Sequence, residues 1–340
     1  MMDVAAKAGV SQATVSLVLS GSKGGRLADD TRRRVLSAAQ ELGYKFVRRG
    51  ARSTPGSQSM IVFVADEIST DPWMSLAYEG ARDKALEHGI NVFLAVGHGD
   101  ADVESGILSV MGKDAVLGLI YGTILTRPVQ LSPLFAENRT VLVNCYEDEG
   151  AFSSVLPGDL VGGRVATQHL LSVGRRRIGF INGQQGVDAA RDRLRGYKQA
   201  LASADIAFDP DLVRPGNWEP TAGYEMTREL MALPEPPDAI FCANDMMALG
   251  CYDALKELGL TVPGDVAVIG FDDRDLAQSM HPPLSTLTLP QYEMGATAVE
   301  LLLDAAGGLD SGPTRIKVEC GLIVRQSSRA ETTAEQVPAE

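Results

Sequence analysis

Residues 3–19 read Asp-Val-Ala-Ala-Lys-Ala-Gly-Val-Ser-Gln-Ala-Thr-Val-Ser-Leu-Val-Leu, and this stretch decides the fold of the N-terminal region. Val4 and Ala8 have the spacing of one apolar face of a first helix. Gly9 gives the backbone the freedom that a tight interhelical turn requires, and Ser11 is suited to cap a second helix. The stretch therefore predicts a helix-turn-helix, whose second helix meets base edges in the major groove of DNA.

The following residues predict a third helix and a set of DNA contacts. We expect this helix over residues 29–42, with Val35, Leu36, Ala39 and Leu42 buried and with Gly43 ending it. The start of a recognition helix reads base edges, and arginines suit phosphates or a narrow minor groove. The predicted DNA-binding residues are Ser11, Gln12, Ala13, Thr14, Ser16, Leu17, Arg32, Arg48, Arg49 and Arg52.

The charge is distributed unevenly along the chain. Residues 1–55 contain ten Lys or Arg and four Asp or Glu side chains, which gives this segment +6 in a chain of net charge -13. The remaining residues therefore have a charge of -19. Basic side chains displace counterions from DNA phosphates, whereas an acidic region is repelled by them. Together with the motif, the pattern favours a DNA-binding head on an acidic body.

Several other classes of site are not predicted. Cys145, Cys242, Cys251 and Cys320 have no CxxC spacing, so we expect reduced core residues, no disulfide framework and no metal site. No nucleotide-binding, zinc-protease or nucleophile-elbow motif is present, so neither catalytic residues nor a cofactor are expected. A signal-peptide pattern and long apolar runs are absent, which predicts a cytoplasmic location without a membrane partner.

A Gly/Ser/Pro-containing segment at residues 50–59 indicates a linker, and an α/β pattern follows it. Short apolar runs alternate with helical periodicity, which predicts parallel sheets covered by helices on both faces. This pattern restarts after Gly158, so we expect two similar lobes with a ligand cleft at the carboxyl ends of their strands. The predicted strands are 60–65, 92–96, 116–121, 141–145, 177–181, 239–242 and 266–271.

The motif Asp-Val-Ala-x-x-Ala-Gly-Val-Ser-x-x-Thr-Val-Ser from Asp3, followed by Thr-Arg-x-x-Val and Leu-Gly-Tyr, resembles the head of the LacI/GalR repressors. The resemblance extends over nearly the whole chain. It implies a homodimer that binds double-stranded operator DNA, and a body similar to two-lobed periplasmic sugar-binding proteins. The implied domains are a head and hinge at 1–57, an effector-binding domain at 58–330, and a disordered tail at 331–340. Lobe 1 would contain about 58–157 and 291–317, and lobe 2 about 158–290 and 318–330.

This sequence departs from the family pattern in two DNA-contacting regions. Leu17 stands where many relatives have an arginine, so it is limited to apolar contacts such as one with a thymine methyl. The segment from Phe46 to Arg52 has no obvious leucine to wedge into the minor groove and kink the DNA. Both departures predict an atypical operator.

The resemblance also implies a small-molecule effector, with a sugar or sugar derivative favoured over a purine. Arg193 and Asp272 offer paired donors and acceptors to hydroxyl groups, and Trp218 occupies the family's stacking position. Leu289 replaces a polar contact of the family, which favours a less polar ligand. The predicted effector-binding residues are Asp71, Trp73, Asn144, Arg193, Trp218, Asn244, Asp272 and Leu289.

Two alternatives stay open from the sequence. One is a cytosolic sugar-acting enzyme with two α/β lobes, and the other is a ligand-binding protein without a DNA function. Neither needs a basic three-helix head, and neither should retard DNA sequence-specifically. The favoured interpretation is a transcriptional regulator, and specifically a repressor, that is not an enzyme.

Overall fold

The computed structural model of the protein describes residues 2–10, 14–15, 18, 29–42, 60–110, 115–308 and 312–329. The chain divides into two compact units. Unit 1 is Met1–Gly158 with Pro290–Glu319, and unit 2 is Asp159–Leu289 with Cys320–Glu340. We expected the chain to change lobe after residues 157, 290 and 317, and the observed changes follow residues 158, 289 and 319.

The described part of the head is helical and has its own small core. Helix α1 spans Met2–Ala8, and helix α2 spans Asp29–Glu41. Gly9 follows α1 with φ +64°, a conformation that glycine adopts without a steric penalty. The buried apolar side chains come from both helices and from the residues between them: Val4, Ala5, Ala8, Val10, Val15, Val18, Val35, Ala38 and Ala39.

The predicted burial of Leu36 and Leu42 is wrong. Leu36 is 47% exposed and Leu42 is 44% exposed. The buried face of the helix is instead made by Val35, Ala38 and Ala39. Leu36 lies on another side of α2, and Leu42 follows the last residue of the helix.

Unit 1 contains a parallel sheet of six strands in the order β11-β5-β4-β3-β1-β2. The strands are β1 Met60–Ala65, β2 Asn91–Val96, β3 Val116–Pro128, β4 Thr140–Tyr146, β5 Ser153–Pro157 and β11 Arg315–Val318. The helices are α3 Trp73–Glu87, α4 Ala101–Val110, α5 Pro133–Ala136 and α11 Gln291–Ala306. Strand β1 consists of apolar residues and is almost entirely buried, as expected for a strand covered on both faces.

Unit 2 contains a parallel sheet of four strands in the order β7-β6-β8-β9. The strands are β6 Ile178–Ile181, β7 Val213–Arg214, β8 Ala239–Cys242 and β9 Ala267–Ile269. The helices are α6 Asp159–Ser172, α7 Asp188–Ser203, α8 Pro220–Met231, α9 Asp245–Glu257 and α10 Asp275–Ser279. Two short antiparallel strands, β10 Thr286–Leu287 and β12 Leu322–Ile323, complete the unit.

Two glycines leave no room for a Cβ atom where helices α6 and α7 contact each other. A Cβ atom added to Gly196 would overlap the carbonyl oxygen of Leu160 and the amide nitrogen of Arg164. A Cβ atom added to Gly163 would overlap the backbone of Arg193. The crossing therefore holds the start of α6 against the part of α7 that carries Arg193.

Burial raises the pKa of the Glu293 carboxyl to about 7 in helix α11. Neither carboxylate oxygen of Glu293 has a hydrogen-bond partner among the described residues. The folded state binds this proton more tightly than the unfolded state, so the carboxyl costs no stability below pH 4.5 and progressively more as the pH rises through 7.

We expect Glu293→Gln to raise the free energy of unfolding by about 2 kcal/mol at pH 8 and to change it little at pH 5. Thermal unfolding followed by circular dichroism at both pH values measures this difference. The matched control is Glu300→Gln on the same helix, where the wild-type carboxylate is exposed and pairs with Lys84. An equal effect of Glu293→Gln at both pH values would contradict the prediction.

A further finding concerns membranes. Among the helices that the structure describes, none is long and apolar enough to cross a bilayer.

Candidate functional site

The predicted DNA-binding residues fall largely in parts of the head that the structure does not describe. Ser11, Gln12, Ala13, Ser16, Leu17, Arg48, Arg49 and Arg52 lie outside the described residues. Arg32 belongs to helix α2, but its side chain is not described. Thr14 is buried in the head, and its assignment as a DNA contact stays a prediction.

The unit 2 candidates meet at the carboxyl ends of its parallel strands. Arg193 lies on α7, which follows β6, and Asn244 comes two residues after β8. Asp272 follows β9, and Trp218 precedes α8. Loops that follow parallel strands share one edge of a sheet, which is the usual ligand-binding edge of such folds.

The guanidinium of Arg193 is fixed by groups of its own unit. Its Nε donates to Oδ1 of Asp159 at 2.8 Å, and Nη2 lies 2.8 Å from the same oxygen. Its Nη1 donates to the carbonyl oxygen of Ala243, and the guanidinium lies 3.6 Å from the ring centroid of Phe271. The Arg193 side chain is only 3% exposed, so its orientation is set before any ligand arrives.

Trp218 and Asn244 depend on each other. The side-chain oxygen of Asn244 accepts a hydrogen bond from the Met247 amide at 2.8 Å and caps α9. Its side-chain nitrogen donates to the carbonyl oxygen of Trp218 at 2.9 Å. Trp218 has φ +73°, and its indole occupies the space that a Cβ atom on Gly183 would fill. The indole centroid is 5.7 Å from the Arg193 guanidinium, so these residues form one cluster.

Asp272 has a strained backbone that its neighbours hold in place. Its φ is +115°, its amide donates to Leu287 at 2.7 Å, and its carbonyl accepts from Leu289 at 3.2 Å. One carboxylate oxygen lies 3.9 Å from Nη1 of Arg193, and the other lies 3.7 Å from Nε of Arg274. Backbone strain of this kind persists only where the surrounding structure maintains it, and it is concentrated at functional sites.

Two further aspartates lie behind this cluster. Asp245 is fully buried and accepts hydrogen bonds from the Thr286 hydroxyl at 2.6 Å and the Arg274 amide at 2.8 Å. Burial, together with the nearby charge of Asp272, raises the pKa of Asp245 well above its usual range. Asp273 pairs with Arg325 at 2.7 Å, and burial raises its pKa as well.

Two of the unit 1 candidates, Asn144 and Trp73, are buried. The amide of Asn144 donates to the carbonyls of Thr123 and Ile124 and accepts from the Thr126 hydroxyl. These bonds connect Asn144 to strand β3, and its assignment as an effector contact stays a prediction. Trp73 starts α3 and is 7% exposed, and its assignment as an effector contact stays a prediction.

Two candidates remain partly accessible. Asp71 is half-buried in the turn before α3. Leu289 is half-buried, is the last residue of unit 2 before Pro290, and packs against the apolar core of that unit. The structure thus joins Arg193, Trp218, Asn244 and Asp272 directly and Leu289 through its backbone bond to Asp272.

Asp159, Phe271 and Asp245 were missed by sequence reasoning. Asp159 begins α6 directly after Gly158, and a carboxylate at the carboxyl end of a strand was the available signal. Phe271 resembles an ordinary core residue in sequence, and Asp245 resembles an ordinary residue of a helix start. Their contacts depend on elements distant in the chain, so the sequence pattern alone does not reveal them.

Metal-ligand and cysteine chemistry do not add to the site. Within the described ranges there is no group of three or more His, Cys, Asp or Glu side chains arranged to hold a metal. The four cysteines are all buried, and none is in a disulfide in that part of the chain.

The chain is similar to known bacterial regulators. Residues 1–45 match the description "Bacterial regulatory proteins, lacI family", and residues 167–328 match "Periplasmic binding protein-like domain". The chain is 34% identical to the HTH-type transcriptional repressor CytR of Escherichia coli strain K12, over 97% of this chain and 96% of that protein. It is 32% identical to the repressor PurR of Haemophilus influenzae strain PittEE, over 96% and 98%. The solved complex of the transcriptional regulator CelR with cellobiose has a TM-score of 0.65 and 31% identity, over 96% and 98%.

Proposed function

The chain belongs to the LacI family of bacterial transcriptional regulators, and from this premise we propose that it is a repressor controlled by a small sugar-like effector. The observation that carries the proposal is the cluster of Arg193, Trp218, Asn244 and Asp272 at the carboxyl ends of the unit 2 strands. Asp71, Trp73, Asn144 and Leu289 are further proposed contacts. Because it acts on chromosomal DNA, we propose a cytoplasmic location.

The chemistry of the cluster supports a polyhydroxylated ligand. Arg193 supplies N–H donors, the Asp272 carboxylate supplies acceptors, and each suits the hydroxyl groups of a sugar. The indole face of Trp218 suits the apolar face of a sugar ring or a base. The similar regulator CelR has been solved with cellobiose, which makes cellobiose the first ligand to test.

The DNA side of the proposal rests on the head. Its helical core has the composition and turn expected of a helix-turn-helix, and its sequence carries the family motif. The proposed DNA-binding residues of the helix-turn-helix are Ser11, Gln12, Ala13, Thr14, Ser16 and Leu17. The proposed phosphate or minor-groove residues are Arg32, Arg48, Arg49 and Arg52. With Leu17 in the recognition helix, we propose an operator that is read partly through apolar contact.

We also propose that unit 1 mediates homodimerisation. Strand β2 is an edge strand of its sheet, and Phe93 at its centre is 51% exposed. The helices before and after β2 in the chain add Leu86, Val103 and Val110, of which Val110 is 82% exposed. An edge strand with exposed apolar side chains favours pairing with a second copy.

Phe93→Glu is expected to weaken self-association by at least ~10-fold, because a carboxylate would replace an apolar contact in the pairing surface. Analytical ultracentrifugation across a concentration series measures the change. The control is Phe208→Glu, which changes a partly exposed phenylalanine of unit 2 that contacts Lys198 within its own unit. Equal association of wild type and Phe93→Glu would contradict the proposed surface.

The effector acts by linkage in this proposal. A ligand that binds more tightly to one conformation of the repressor shifts the population toward that conformation. The effector thereby changes the affinity for operator DNA, and operator DNA changes the affinity for the effector by the same factor. Allosteric couplings are typically about 1–3 kcal/mol, which corresponds to roughly 5- to 150-fold.

Operator selection followed by a gel-shift titration tests the function. The full-length protein is used to select fragments of its own genome, and retardation is then measured with and without cellobiose, other neutral sugars and nucleosides. We expect sequence-specific retardation that one ligand changes at least ~10-fold. Asp272→Asn should keep DNA binding and lose the response, whereas the control Asp148→Asn, at an exposed aspartate, should keep both. Absence of any specifically retained fragment would contradict the proposal.

A further inference from the structure

We propose that the effector of this protein is an uncharged molecule, and that Asp159 is the positioning residue that excludes phosphorylated and carboxylated ligands by neutralising Arg193. This inference rests on the function proposed above and narrows its ligand class. Arginine at such a site is equally suited to hydroxyls, a carboxylate or a phosphate, so the arginine alone does not decide the charge of the ligand. The groups around Arg193 decide it.

The positive charge of Arg193 is already compensated inside unit 2. Two of its nitrogens share Oδ1 of Asp159, each at 2.8 Å, and both side chains are almost completely buried. An ion pair of this kind is strong because little water screens it. A site built to bind an anion needs a cation whose charge is left for the ligand. Arg193 does not provide one.

A second carboxylate adds to this balance. Asp272 has one oxygen 3.9 Å from Arg193 and the other 3.7 Å from Arg274. The charged groups around Arg193 are thus its own guanidinium and that of Arg274, balanced by the carboxylates of Asp159 and Asp272. These four groups have no net positive charge. Asp273 is paired with Arg325 at 2.7 Å and leaves the balance unchanged.

The remaining acidic group does not reverse the conclusion. Burial raises the pKa of Asp245, which favours its neutral form. If Asp245 were ionised, the cluster would become negative and would repel anions more strongly. An anionic ligand beside Asp272 would also place two like charges close together, which costs binding free energy.

The groups left for the ligand suit a neutral one. Nη1 and Nη2 of Arg193 each carry two hydrogens, so each keeps a donor beyond its bonds to Ala243 and Asp159. The Asp272 carboxylate accepts hydrogen bonds, and the Trp218 indole provides an apolar face. Hydroxyl and ring N–H groups meet these requirements, whereas a phosphate ester has few hydrogens to donate.

Asp159→Asn separates charge from geometry. The asparagine keeps a side-chain oxygen that accepts from Arg193, but it removes the compensating negative charge. The probes are inorganic phosphate, glucose and glucose 6-phosphate, and binding is measured by thermal shift and calorimetry on the full-length protein. Phosphate makes the test independent of the effector's identity.

We expect phosphate to bind Asp159→Asn at least ~10-fold more tightly than wild type. The gain should disappear in Asp159→Asn/Arg193→Gln, which locates it at this arginine. The exposed-residue variant Asp148→Asn should bind phosphate as wild type does. Wild type should not prefer glucose 6-phosphate over glucose.

Several results would overturn the inference. Tighter binding of phosphate or glucose 6-phosphate to wild type, lost in Arg193→Gln, would show an uncompensated cation. A folded Asp159→Asn variant without a gain would show that Asp159 does not set the charge preference. If Asp159→Asn does not fold by circular dichroism, Asp272→Asn replaces it with the same expected gain. A failure of the proposed function would give a different result. Phosphate would still bind Asp159→Asn more tightly than wild type, but no neutral ligand would change the binding of operator DNA.

Discussion

Gly196→Ala is expected to lower the free energy of unfolding by about 3 kcal/mol, the upper end of the range for overpacking. The added methyl group would overlap backbone atoms of Leu160 and Arg164, which have no alternative rotamer to adopt. Helices α6 and α7 would have to separate, and the contact between Asp159 and Arg193 would lengthen with them. Chemical denaturation followed by circular dichroism measures the loss.

The control for this prediction is Gly106→Ala on helix α4. A Cβ atom at Gly106 meets nothing within 4 Å, so alanine should be neutral or stabilise the helix by up to about 1 kcal/mol. Opposite signs for two Gly→Ala changes in helices would identify the crossing as the cause. A loss below about 1 kcal/mol at Gly196 would mean that the two helices can separate at little cost.

Arg193→Met is expected to destabilise the protein by about 3 kcal/mol and to abolish the effector response. The destabilisation arises because Asp159 would be left as a buried carboxylate without its partner. The loss of response arises because the proposed site would lose its main donor. Denaturation and the gel-shift titration measure the two effects separately.

The double variant Arg193→Met/Asp159→Leu distinguishes these effects. Replacing both charges with apolar side chains removes the unpaired carboxylate, so stability should return to within about 1 kcal/mol of wild type. The effector response should remain absent. The control Arg195→Met removes an exposed arginine two residues away, which lies 3.6 Å from Asp192, and should change stability by less than about 0.5 kcal/mol. A double variant as unstable as the single one would contradict the explanation.

Much of the fold was predictable because its signals are local. Strands β1 and β8 begin and end where the apolar runs predicted. Strand β5, from Ser153 to Pro157, and strand β11, from Arg315 to Val318, were not predicted. Both are short, and β11 alternates half-buried with exposed residues at the sheet edge, so neither has the continuous apolar run of a central strand.

The candidate site was predicted in part through the family resemblance. Arg193, Trp218, Asn244 and Asp272 do lie together. In contrast, the side chain of Asn144 forms hydrogen bonds with strand β3, and Trp73 is buried. A motif identifies which side chain stands at a position. It does not state how many of that side chain's hydrogen-bonding groups the rest of the protein already uses.

The sequence by itself determined the helix-turn-helix motif, the α/β alternation and the family, because each depends on residues close together in the chain. Only the tertiary structure decided the electrostatics of the site. Asp159 and Arg193 are 34 positions apart, and they meet because Gly163 and Gly196 let two helices cross at short range. Ion pairing depends on the distance between charged atoms, and that distance is set by packing. Arg193 is therefore identified from the sequence through the family resemblance, but the compensation of its charge is a property of the folded unit.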